Sequence, residues 1–235
     1  MHTANSLAAR MLGVVRTPRA TFEGLAANPR SADVLVVTFL VTALSSALLL
    51  ETETGRLALL DQWERTALAF GQTVGDSEYT ALVQASENGA TYGVARSFAS
   101  GPLLAVALSL GLMGLFRLFT GGGVTFRQVL AIVVHSGVIL MLRHVIGAPI
   151  IYMRETLASP TTLTMFFTML DEGSPPARFF GIVDLFLIWW IVVLAIGMSV
   201  LYRQPARRLA MAFMGTYVVL AGVLTIVMAL TGGTA

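Results

Sequence analysis

FFGIVDLFLIWWIVVLAIGMSVLY, residues 179–202, runs for 24 residues with a single charged side chain, Asp184. A helix rises about 1.5 Å per residue, so about 20 apolar residues cross a hydrocarbon core about 30 Å thick, and this stretch is long enough to do so. Four further stretches have the same character: Asp33 to Leu50, Phe98 to Phe119, Gln128 to Ala148 and Leu209 to Leu230. The expected fold class is therefore all-α, a polytopic membrane protein with five transmembrane helices. Composition agrees, with 56% hydrophobic and 12% charged residues and a mean hydropathy of +0.78, far from an ordinary soluble domain.

All fifteen basic residues are arginine, and their positions set an orientation. Arg10, Arg16, Arg19 and Arg30 precede the first span, Arg117 and Arg127 bracket the turn between spans two and three, and Arg203, Arg207 and Arg208 fill the turn between spans four and five. The acids gather on the other side, from Glu51 to Glu87 and at Glu155, Asp171 and Glu172. Positive residues remain on the cytoplasmic side, which predicts a cytoplasmic N-terminus and a C-terminus outside. The formal charge of +2 is thus a matter of orientation, and no nucleic-acid partner is expected.

Around the spans, three regions are expected. Residues 1–32 read as a cytoplasmic interfacial N-terminal segment: Leu7, Met11, Val14 and Val15 share a helical face, and Thr17-Pro18 suits the start of a second short helix. No removable signal peptide is read there. Residues 33–230 form the five-span domain, with an outer loop at 51–97 whose Leu57, Leu60, Trp63, Ala67 and Phe70 recur at helical intervals. Residues 231–235 form a short outer tail. A short interfacial helix is expected near Thr161 to Leu170. Small residues repeat every fourth position at Ser97, Gly101, Ala105 and Ser109, and at Thr38, Thr42 and Ser46, a spacing that permits close helix approach.

Ionisable side chains within a span are costly and point at partners or aqueous cavities. The candidates are His135, Arg143 and His144 on span three and Asp184 on span four. Arg143 and Asp184 each lie about five residues from the end of their span, about 7 Å deep. An Arg143–Asp184 ion pair is the expected arrangement, with His144 competing for the same carboxylate. Snorkelling to the interface and substrate contact are the alternatives. His135 and His144 are nine residues apart, on opposite sides of a helix, and cannot share a metal. A cross-helix hydrogen bond or a proton relay are the readings for His135.

Enzyme chemistry is not evident. With no cysteine, thiolate catalysis and thiolate metal sites are excluded. No His-Glu-x-x-His occurs, a Walker A sequence is impossible without lysine, and His135-Ser136 does not place a serine nucleophile opposite a distant histidine. Thr120-Gly121-Gly122-Gly123 reads as a turn. No catalytic residue, metal or cofactor is expected.

The chain resembles the Yip1 domain family, particularly its bacterial members. The resemblance rests on Pro18-x-x-Thr21-Phe22 followed by Pro29, and on Phe126-Arg127-Gln128-Val129-Leu130-Ala131 leading to His135-Ser136. It rests also on Asp184-Leu185-Phe186-Leu187-Ile188-Trp189-Trp190 followed by Ala195-Ile196-Gly197-Met198-Ser199. Pro18, Phe22, Pro29, Trp189 and Gly197 are the motif positions. The family implies five spans with a cytoplasmic N-terminus and no catalytic residues, and some bacterial relatives look like accessory parts of ABC-type export systems. The expected function is a non-enzymatic scaffold or assembly protein in the bacterial cytoplasmic (inner) membrane, in contact with lipid and with another membrane protein or a second copy. A small-solute or ion transporter, or a lipid-binding protein using Arg10, Arg16 and Arg19, are the alternatives.

Overall fold

A computed structural model describes residues 6–120, 123–155, 157, 159–167, 169–171 and 174–231. The glycines at 121 and 122 of the expected turn, and residues 232–235 of the expected tail, lie outside the described residues. All secondary structure among the described residues is helical apart from one isolated bridge. Five helical runs are long and apolar enough to cross a membrane: Ala32–Glu51, Gly89–Phe119, Phe126–Arg154, Leu185–Tyr202 and Ala206–Thr231.

The helices are α1 (Leu7–Arg16), α2 (Pro18–Ala27), α3 (Ala32–Glu51), α4 (Glu53–Ala69), α5 (Asp76–Ser86), α6 (Gly89–Phe98), α7 (Leu104–Thr120), α8 (Phe126–Ser136), α9 (Val138–Arg154), α10 (Pro175–Ile182), α11 (Leu185–Tyr202) and α12 (Ala206–Thr231). The second run begins at Gly89 rather than Phe98. There α6 passes into α7 through a π turn, Ala99–Leu103, in which Pro102 supplies no N–H and the Leu104 N–H reaches back to the Ala99 carbonyl. The third run continues past Ala148 to Arg154 with Pro149 inside the helix. The largest departure is in the fourth. The stretch from residue 179 is not one helix but two, α10 and α11, with Val183 and Asp184 between them. In place of the helix expected near Thr161 to Leu170 there is a single 3-10 turn, Leu163–Phe166.

The chain divides into two compact units. The first comprises the chain up to Thr42, Arg96–Leu142 and Phe186–Met214. Its N-terminal helices contribute to its core: Val14 of α1 and Phe22 and Leu25 of α2 are buried with Val129, Ile132, Val193 and Met198. Pro18 starts α2 at a position where no N–H is needed. Phe22 is 0% exposed because Gly197 lacks a side chain: a Cβ there would stand 2.3 Å from Ile132 Cγ2 and 3.2 Å from the Phe22 ring. Thr125 and Gln128 form a capping box that starts α8, and the Gln128 amide also donates to the Ala26 carbonyl of α2 at 2.9 Å. Phe116 stacks on Tyr202 with ring centroids 4.2 Å apart.

The second unit comprises Ala43–Ala95, Arg143–Leu185 and the chain from Gly215. Here α3 turns into α4 at Thr52, whose hydroxyl donates to Leu49 O at 2.6 Å and accepts from the Gly55 N–H at 3.0 Å. The reversal is so tight that a Cβ on Gly55 would lie 2.0 Å from Leu49 O. Ala58, Leu59 and Leu60 of α4 are buried, and Trp63 meets Tyr92 edge-on at 5.1 Å. Of the small-residue ladder in the first unit, Ser97 and Ser109 are buried, whereas a Cβ on Gly101 would meet nothing within 4 Å.

The Phe22–Gly197 contact is directly testable. Phe22→Ala should cost about 3–5 kcal/mol through the cavity it leaves, and Gly197→Leu about 1–3 kcal/mol through overpacking. Both are expected to lower the thermal unfolding midpoint of the purified protein in detergent. Unchanged midpoints would contradict the docking of α2 into this core.

Candidate functional site

The candidate residues separate into two places. Arg143 and Asp184 come together in the second unit, while His135 lies in the core of the first. His144 follows Arg143 on α9 and is exposed, and His135 and His144 do not share a site.

Asp184 sits where α10 has ended and α11 has not begun. Val183 is extended (φ −79°, ψ 109°) and closes α10 through its N–H to Phe179 O. The two-residue gap would leave main-chain groups without partners in a medium that supplies none, and a returning segment meets that need. The chain leaves α9 through Glu155, at φ 55°, and folds back along the helix, so that Pro160 lies beside Gly147. Thr162 then forms an antiparallel bridge with Asp184. Leu163 N–H donates to Val183 O at 2.8 Å, and Leu185 N–H donates to Thr161 O at 3.0 Å. From α12, the Tyr217 hydroxyl donates to Ile182 O at 2.8 Å and accepts from the Asp184 N–H at 3.1 Å.

The Asp184 carboxylate is held by the same elements. Its Oδ2 accepts from Ser159 Oγ at 2.8 Å and Thr161 Oγ1 at 2.7 Å, and Arg143 Nε lies 3.0 Å from the same oxygen. The Asp184 side chain is 2% exposed and that of Arg143 31%, so the pair is closed on the acidic side and open on the basic side. Sixteen residues separate Arg143 from Arg127, and eighteen separate Asp184 from Tyr202, or about 24 and 27 Å of helix rise. Against a core about 30 Å thick, counting from Arg127 and Tyr202 brings both groups close to the far hydrocarbon boundary.

His135 is 0% exposed. Its Nδ1 lies 2.8 Å from Ala131 O, one turn back on α8, which makes Nδ1 the protonated nitrogen and leaves Nε2 an acceptor. That Nε2 has no hydrogen-bond partner among the described residues. The same unit contains an ion pair that sequence reasoning missed, between Arg10 of α1 and Asp33 in the first turn of α3. Arg10 is only 7% exposed. The lipid-binding alternative would have it offer its charge to headgroups, but its guanidinium is engaged with Asp33. Trp189 is partly exposed near Phe186, and Pro29 lies in the link between α2 and α3. Among the described residues no three acidic or histidine side chains gather closely enough to hold a metal ion.

The partners Ser159, Thr161 and Tyr217 were also not singled out from sequence. The available signals were a polar, proline-containing cluster, Ser159-Pro160-Thr161-Thr162, and a tyrosine inside an otherwise apolar span. What the geometry defines is a multi-pass helical membrane protein whose buried charges are paired internally beside a helix break. The Yip1 domain matches residues 12–229, and the chain belongs to the Yip1 domain family. No curated protein and no solved structure is significantly similar to it.

Removing one member of a buried pair leaves the other uncompensated, at about 3–5 kcal/mol. Arg143→Met and Asp184→Asn are each expected to destabilise by about that amount, and the double variant by clearly less than the sum. Thermal unfolding of the three variants in detergent measures the coupling, and strict additivity would rule the pairing energy out.

Proposed function

We propose that this protein is a non-enzymatic membrane scaffold or accessory protein of the bacterial cytoplasmic membrane, with its N-terminus in the cytoplasm, holding another membrane protein or a second copy of itself. The observation that supports this reading is on α12. Over 26 residues only Ala221 and Thr225 of that helix are buried, and a Cβ on Gly215 or Gly222 would meet nothing within 4 Å. Seven residues apart, these glycines share a helix face. Each glycine costs a helix about 1 kcal/mol relative to alanine and gains nothing here from packing within the chain. Small residues on a lipid-facing helix let a second helix backbone come close, which gives the two glycines a use. An accessory place beside an export system is the finer form of this reading, and it rests on the family resemblance.

A second reading, solute or ion transport, is favoured by the break between α10 and α11. Discontinuous helices with an ionisable residue at the gap are how many transporters build substrate sites.

Mild crosslinking in native membranes, affinity purification and quantitative mass spectrometry against an untagged control decide between the two. The scaffold reading expects one stoichiometric membrane partner or a defined oligomer, with recovery falling about tenfold in Gly215→Leu/Gly222→Leu through loss of a helix contact. Recovery of the protein alone, together with proteoliposome flux that disappears in Asp184→Asn, would replace it with transport.

A further inference from the structure

We propose that Arg143, held in place by Asp184, binds the phosphate of a membrane phospholipid in the leaflet opposite the arginine-rich turns. This inference is independent of the scaffold reading. An arginine has five N–H donors in a planar fork. Arg143 directs Nε at Asp184 Oδ2, and its terminal amino groups make no hydrogen bond to any described residue. The guanidinium is about one-third exposed and lies a few ångströms inside a hydrocarbon boundary, where a lipid phosphate drawn toward it comes within reach. Its direction is fixed from behind, since the carboxylate that orients it is itself held by Ser159 and Thr161. A guanidinium held through Nε and partly exposed keeps two terminal amino groups that can match a phosphate oxygen pair, and it loses little freedom on binding.

A second feature points to a lipid rather than a soluble phosphate. Directly after Thr161 and Thr162, which bond to and pair with Asp184, the chain exposes a run of large apolar side chains: Met165 at 40%, Phe166 at 67%, Phe167 at 44% and Met169 at 97%. Phe167 is backed by Phe180 of α10 in a stacked contact at 4.5 Å. An apolar, exposed turn that follows directly on the residues holding Asp184 provides for the acyl chain of an amphiphile, and Arg143 for its phosphate. A free phosphate would use only the cation.

Native mass spectrometry of the full chain in mild detergent tests this, with dioleoyl phosphatidylglycerol, dioleoylglycerol and inorganic phosphate as separate probes. The wild type is expected to retain phosphatidylglycerol about tenfold better than the phosphate-free dioleoylglycerol, in line with one charge-assisted contact. Because Arg143→Gln alone strands the Asp184 charge, the neutral pair Arg143→Gln/Asp184→Asn is the variant to use, with circular dichroism to establish that it is folded. It is expected to lose that preference, while Arg154→Gln at the exposed end of α9 keeps it. Equal retention of the two lipids by the wild type would overturn the proposal, as would an unchanged preference in the folded double variant. Binding of inorganic phosphate as tight as that of phosphatidylglycerol would assign the site to a soluble anion and equally overturn it.

Discussion

Lipid offers no hydrogen bonds, so any interruption of a membrane helix has to be satisfied by the protein itself. In this chain the interruption is at Val183 and Asp184, and the returning segment after α9 is shaped by it. Leu163 and Thr161 bond to the backbone on either side of the gap, Tyr217 bonds to Ile182 O and the Asp184 N–H, and Ser159, Thr161 and Arg143 converge on the Asp184 carboxylate. Backbone repair and charge compensation are thus carried out by the same few residues. An apolar residue at position 184 would lose both hydroxyl contacts to the carboxylate and the fixed position of Arg143 together.

Polar groups in the first unit are managed differently. Phe22 enters the space that Gly197 leaves open, the Gln128 side chain ties α8 to α2, and Arg10 meets Asp33. These contacts join the N-terminal helices to membrane helices by shape, by a hydrogen bond and by charge. His135 is the exception, with Nδ1 bonded along its own helix and Nε2 sealed without a donor among the described residues. A buried acceptor left in this state costs of the order of 1–3 kcal/mol, and that cost is borne by the dense apolar packing around Ile132, Val134 and Val138.

Much of this was legible in the sequence because lipid makes simple demands. Five apolar runs of about the length needed to cross a hydrocarbon core are visible without tertiary information, and Arg143 and Asp184 could be matched because each sat at a similar depth in an otherwise apolar stretch. The helix break was not legible. Phe179 to Tyr202 is continuous in hydropathy, and what divides it is a set of bonds from Ser159, Thr161 and Tyr217, which are 25, 23 and 33 residues away. The extension of the second run back to Gly89 was missed because Gly89 and Gly93 read as glycine punctuation of the outer loop, while Gly93 is in fact packed against Leu50 and Ser46. The Arg10–Asp33 pair was not legible because a charge pattern reports an average preference for one side of the membrane and is silent about a particular partner.

The motif positions that carry the family resemblance can be given a physical role, and it is an architectural one. Pro18 starts α2, Phe22 fills the space at Gly197, and Gln128 within the Phe126–Ala131 motif links two helices. The family match spans both units, from residue 12 to 229, and these three residues describe how the first of them is assembled. The energetics of the Asp184 site bear on the choice between a fixed support and a moving one. To admit a cargo at the carboxylate, the protein would have to part an ion pair whose disruption costs about 3–5 kcal/mol and two hydroxyl contacts at about 1.5–3 kcal/mol each, all of which the cargo would have to restore. A phosphate arriving at the open side of Arg143 breaks none of these bonds. The same arrangement that makes Asp184 a poor binding site leaves Arg143 a ready one.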